Sequence, residues 1–197
     1  LYSDSRSAYM SEEIMKINAG DHKQIVSGEF IELAGERFYA IHNADKMAPF
    51  FVNVVSDSDH WLFVSSTGGL TAGRVSPETA LFPYVTVDKI HDNAVHTGSK
   101  TILHVKIDGR HYEWEPFNME HDGLYATNRH LYKNLLGNKL IFEEVNHDLQ
   151  MVFRYTWATS DSYGFVRQCE LQNLSSNTVS IDMVDGFKQT FENMGAG

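Results

Sequence analysis

Residues 61–93 read WLFVSSTGGLTAGRVSPETALFPYVTVDKIHDN. Two large aromatics, Trp61 and Tyr84, bracket the guanidinium of Arg74, and a dense polar group follows: Asp88, Lys89, His91, Asp92 and Asn93. Side chains of these types suit carbohydrate. A pyranose ring stacks on a flat aromatic face, and its hydroxyls bond to carboxylate, carboxamide, guanidinium and imidazole groups. Gly68-Gly69, Gly73, Pro77 and Pro83 break the stretch into loops, and loops held on a rigid sheet are where binding residues gather. These eight residues are the candidate surface for carbohydrate or for a neighbouring domain. The plainer alternative makes Trp61 and Tyr84 packing residues and Asp88 and Asp92 turn ends.

Other chemistries fit less well. His91, Asp92 and His96, and the pair His121-Asp122, match no ligand spacing such as H-E-x-x-H, so no metal and no cofactor is expected. Asp57-Ser58-Asp59 reads as a turn, since a calcium loop needs more oxygen ligands at set spacing. Glycoside hydrolysis needs two carboxylates about 5–5.5 Å or about 6.5–9.5 Å apart. Glu113 and Glu115 fall on one solvent face of a hairpin, and the adjacent Glu143 and Glu144 point to opposite faces. Neither looks like a catalytic pair, and solvated faces are expected for both. A mutarotase-like reaction would use a His as acid and a Glu as base, but no motif selects them. The chain contains no G-x-S-x-G, phosphate loop or dinucleotide fingerprint.

The elements that position these residues are mostly strands. With 197 residues, 42% apolar and 12% aromatic, the chain can bury one sizeable core. A net charge of -10 with singly scattered Lys and Arg argues against nucleic acid. No apolar run approaches the roughly 20 residues of a membrane helix. The single cysteine, Cys169, excludes an intrachain disulfide and reads as a small core residue. That fits the cytoplasm without excluding the periplasm. Residues 1–22 form an expected lead with a short helix begun by Ser11, Glu12 and Glu13. Residues 23–197 form the expected domain, and Leu1 and Gly197 look like the ends of a piece of a longer protein.

Strand patterns cover 24–33, 37–43 and 47–55, the last with Pro49 near its start as on an edge strand. Asp108-Gly109 signals a two-residue hairpin, pairing Ile107 with Arg110, Val105 with Tyr112 and Leu103 with Trp114. Residues 127–136 read as a helix, from the spacings Leu131/Leu135 and Tyr132/Leu136 and the stop at Gly137. Further on, Leu149, Met151, Phe153, Tyr155 and Trp157 alternate with polar or smaller residues, and Val179, Ile181 and Met183 form a last inward face. The expected fold is mainly β, a large antiparallel two-sheet sandwich with one or two short helices; a closed barrel is the alternative.

Two segments carry a family resemblance. GGLTAGRVSPETALFPYVTVDKIHDN, followed by KLIFEEVNHDLQMVFRYTWATSDSYGFVRQCELQNLSSNTVSIDMVDGF, resembles the N-terminal region of large bacterial carbohydrate-active proteins of the cellobiose-phosphorylase type. The resemblance implies a supersandwich similar to the galactose-mutarotase fold. In such proteins a helical linker, a helical barrel carrying the catalytic acid and a small β-domain follow. It implies that the general acid of a glycoside phosphorylase or hydrolase lies outside these residues. The chain would then be a non-catalytic domain that positions oligosaccharide or the helical-barrel catalytic domain, or mediates homodimer contacts. A self-standing mutarotase-like epimerase and a structural dimerisation module are the rival expectations.

Overall fold

The structure, a computed structural model, describes residues 25–86 and 88–188. The expected helix at Ser11 lies outside the described residues. Alternation of apolar and polar residues builds twelve strands: β1 (Ser27–Leu33), β2 (Glu36–His42), β3 (Phe51–Val54), β4 (His60–Ser65), β5 (Leu70–Arg74), β6 (Gly98–Ile107), β7 (Arg110–Trp114), β8 (Thr127–Asn134), β9 (Lys139–Asn146), β10 (Met151–Ser160), β11 (Gly164–Asn173) and β12 (Ser180–Lys188). All pair antiparallel, in one six-stranded sheet, β1-β2-β8-β9-β10-β11, and two of three strands, β12-β6-β7 and β3-β4-β5. Among the described residues the sheets are open, so the architecture is a sandwich rather than a closed barrel. No helix among them is long and apolar enough to cross a membrane.

Both three-stranded sheets turn apolar residues toward the six-stranded one. Leu62, Val64, Leu70 and Ala72 from one, and Leu103, Val105 and Trp114 from the other, share a single core with Leu131, Phe142, Phe153, Tyr155 and Trp157. The period-two reading of β10 is borne out, since Met151, Phe153, Tyr155 and Trp157 are all buried in that core. The β6–β7 hairpin adopts the register counted from its turn. Asp108 and Gly109 have φ values of 49° and 79°, as a two-residue turn of that hand requires. β3 is an edge strand, as Pro49 suggested.

Residues 127–136 are not a helix. β8 runs between β2 and β9, with Leu131 opposite Ile41 on one side and Phe142 on the other. A spacing of four is even, so it keeps residues on one face of a strand as well as of a helix. A strand buried on both faces also loses the alternation that would identify it. Gly137, with φ 79°, sits in the β8–β9 turn, where its N–H donates to the carbonyl of Asn134 (3.0 Å). Leu135 and Leu136 are exposed there. A second correction concerns β12: Met183 pairs with Leu103 but is half-exposed, so the inward face expected of that strand is closed at Ile181 and open at Met183.

Candidate functional site

The Gly68-Gly69 turn joins β4 to β5, and its backbone is pressed against the loop that precedes β6. A Cβ on Gly69 would stand 2.5 Å from the carbonyl oxygen of Ile90, and one on Gly98, at φ 96°, would stand 2.2 Å from that of Gly68. Only glycine tolerates such approaches. Side chains lock the same contact. Ser65 Oγ lies 2.8 Å from His91 Nδ1, Thr67 Oγ1 donates to the His91 carbonyl (3.3 Å), and Leu70 N–H donates to Thr97 Oγ1 (3.1 Å). Asn93 Nδ2 donates to that same Thr97 oxygen (3.2 Å). His91 and Asn93 therefore hold the turn in place.

The rest of the stretch lies elsewhere. Arg74 closes the opposite end of the β4–β5 pair, opposite His60, about 17 Å from Gly69 at roughly 3.3 Å per residue. Its Nε and Nη2 form a bidentate pair with Asp59 (3.1 Å each). Hydrogen bonding from Arg74 holds the Asp59 carboxyl below its usual range. Trp61 fills the space over Gly73 and meets Tyr84 edge-on (5.9 Å). Phe63 and Phe51 continue this row of rings across the outer face of the β3-β4-β5 sheet. Asp88, Lys89 and Asp92 are exposed, and a hydrogen bond from Thr86 holds the Asp88 carboxyl below its usual range. The eight residues thus divide into an outer aromatic face (Trp61, Tyr84), a buttress behind the glycine turn (His91, Asn93), a solvated loop (Asp88, Lys89, Asp92) and Arg74, paired with Asp59 at the open end of the hairpin.

The glycine turn borders two cavities, of about 250 and 190 Å³, which share a wall of Thr67, Gly68, Phe117, Met119 and Tyr155. In the larger one, Phe142 and Tyr155 stack (4.7 Å, 12°) and Phe117 meets Tyr155 edge-on at 5.1 Å. Phe117 has φ 64°, a conformation held by its surroundings: its N–H donates to Glu144 Oε2 (2.7 Å). Glu144 also accepts from Trp114 Nε1 (2.8 Å) and Arg129 Nε (2.6 Å). Arg129 in turn reaches Asp122 (2.9 Å) and the Asn118 carbonyl (3.1 Å). One buried carboxylate and one guanidinium thus fasten residues 117–122 beside the cavity. Burial works against the Arg129 charge, but Glu144, Asp122 and Asp45 together outweigh it and raise the group.

Glu143 and Glu144 do face opposite sides of the sheet, but the solvated setting expected for them is wrong. Both are buried. Glu143 accepts from Tyr132 (2.8 Å) and from Arg154 Nε (2.5 Å). The strand is central, and each carboxylate meets an arginine from a neighbouring strand, Arg129 or Arg154.

Two more polar groups line the larger cavity. Asp45 pairs through Oδ2 with Lys46 (2.9 Å), while its buried Oδ1 has no hydrogen-bond partner among the described residues. His130 accepts the Asn43 backbone N–H at Nδ1 (3.0 Å), which fixes the Nε2–H tautomer. Burial pushes its pKa down to about 4, against the opposing field of Glu143. The smaller cavity is more polar, bordered by the Lys100–Glu115 pair (3.0 Å) and by Lys188. Among the described residues no group of three or more His, Cys, Asp or Glu stands close enough to hold a metal ion.

No protein-family model matches the chain, and no curated protein is a significant match to it.

Proposed function

We propose that this chain is a non-catalytic sandwich domain of a cellobiose-phosphorylase-type protein, and that it positions a saccharide for a helical-barrel catalytic domain. The observation that carries the reading is the larger cavity: three aromatic rings on its wall, with Asp45, Thr67 and Arg129 around them. An apolar pocket with a few convergent polar groups is the usual form of a small-molecule site, and rings beside hydroxyl-bonding groups suit a sugar. Its volume of about 250 Å³ suits one pyranose unit of a longer ligand. The carboxylates of β9 are committed to ion pairs, which favours positioning over catalysis.

The test is isothermal titration of the chain with a panel of β-linked disaccharides. Saturable heat with at least one of them is expected, together with its loss in Met119→Trp, where an indole fills the half-exposed site of Met119 on the cavity wall. A panel without any saturable heat would overturn the reading.

A further inference from the structure

Resting on that reading, we infer that Phe117 sets the length of saccharide the chain holds: its ring is the partition that admits one pyranose unit to the larger cavity and keeps the next out of the smaller one. The two cavities, of about 250 and 190 Å³, share Thr67, Gly68, Phe117, Met119 and Tyr155. Phe142 lines the larger one alone, and Phe153 the smaller one alone. The Phe117 ring packs against both, with centroids 6.1 Å from Phe142 and 6.3 Å from Phe153, and meets Tyr155 at 5.1 Å. It therefore stands on the boundary. Of the other shared residues, Tyr155 belongs to β10, a strand paired on both sides, and Gly68 is pressed against Gly98. Met119 is half-exposed, and its unbranched side chain yields to a neighbour.

The main chain makes this partition rigid. Phe117 has φ 64°, a region that costs a bulky residue free energy and persists only where the surroundings over-determine it. Here they do. Its N–H donates to Glu144 Oε2 (2.7 Å), and the next carbonyl, of Asn118, accepts from Arg129 Nη2 (3.1 Å). Glu144 is itself buried on β9 and bound to Trp114 and Arg129. Pro116, whose ring fixes its own φ, precedes them. The Phe117 ring is thus aimed at Tyr155 from a fixed backbone, and strain of this kind gathers at ligand clamps. Without the ring the two cavities join. The lining of the smaller one, with the Lys100–Glu115 pair and Lys188, then faces the hydroxyls of a second sugar unit.

The test takes the disaccharide of the panel that binds most tightly and the methyl glycoside of each of its units. These are titrated calorimetrically into wild type, Phe117→Gly and Phe117→Ala, and the thermal midpoints of the two variants are measured without sugar. Wild type is expected to bind the disaccharide within about fivefold of the better methyl glycoside, because the second unit stays in water. In Phe117→Gly that ratio is expected to rise about fivefold or more, and the loss of one wall ring cancels from it. The midpoint of Phe117→Gly is expected to exceed that of Phe117→Ala, since glycine adopts φ 64° without strain. A larger wild-type preference for the disaccharide, a smaller rise in folded Phe117→Gly, or a midpoint no higher in Phe117→Gly than in Phe117→Ala would each overturn the inference and leave the sugar-binding reading standing. The wild-type comparison decides even where neither variant folds. If no member of the panel binds, the parent reading falls and this inference falls with it.

Discussion

Acidification offers the sharpest measurement on this fold, because one buried group beside the larger cavity responds to it with a calculable size. His130 is held neutral: burial lowers its pKa from 6.5 to about 4. Its Nδ1 is already an acceptor for the Asn43 N–H (3.0 Å), a bond that protonation abolishes. His42 lies 5.1 Å away ring to ring and disfavours a second charge, while Glu143 and Asp45 favour it too weakly to prevail. Glu143, which also serves Arg154 and Tyr132, is the largest opposing influence, yet burial prevails. The unfolded chain binds the proton below pH 6.5 and the folded one only near 4, so stability falls as pH drops through that window. Each pH unit between the two values is worth about 1.4 kcal/mol. The full loss is therefore about 3 kcal/mol, and about 2 kcal/mol of it is gone between about pH 7 and pH 5. His130→Asn keeps an acceptor for the Asn43 N–H and removes the titration. Urea unfolding of both proteins across this range gives a difference from which the carboxylates cancel, and it should shrink by that amount on acidification. A difference independent of pH, or an NMR titration placing His130 near 6.5, would refute the reasoning.

Two further outcomes follow from the buried groups. Glu144→Ala leaves the Arg129 charge without its nearest partner and frees the Trp114 and Phe117 donors. A loss of about 3–5 kcal/mol in urea-derived stability is expected, and a loss below about 1 kcal/mol would show that residues 117–122 are held by something else. Cys169 sits half-buried beside Asp185, and burial pushes its thiol up to about 11. At pH 8 it should react with a disulfide reagent about a hundredfold more slowly than a free thiol; a rate near that of free cysteine would mean the β11–β12 edge opens freely.

Local rules reach the strands and miss what the strands do to charge. The β6–β7 register follows from Asp108-Gly109 alone, because a turn of two residues leaves no freedom in pairing. The face of β10 follows from its alternation. β8 escaped because it is packed on both sides, and its four-residue spacings fit either period. Glu143 and Glu144 escaped for a related reason. In LIFEEVN two adjacent acids look like a solvated break, and only the pairing of β9 with β8 and β10 shows that an arginine waits on each face. A carboxylate is placed inside only where its partner is also placed, and the partner lies many residues away.

The same logic applies to the stretch from Trp61 to Asn93. Its residue types suggested one recognition surface, yet a two-strand hairpin necessarily puts its turn and its open end at opposite poles. Gly68 and Arg74 therefore cannot meet. What the stretch does instead is divide the labour. Its glycines let the turn press against the 90–98 loop, and His91 and Asn93 lock it there. Asp45 had no motif to announce it. Its distinguishing property, an acceptor buried at the edge of a cavity and bonded to no donor among the described residues, depends on atoms brought together from β2, β8 and the 117–122 segment. Such a property exists only in the folded chain.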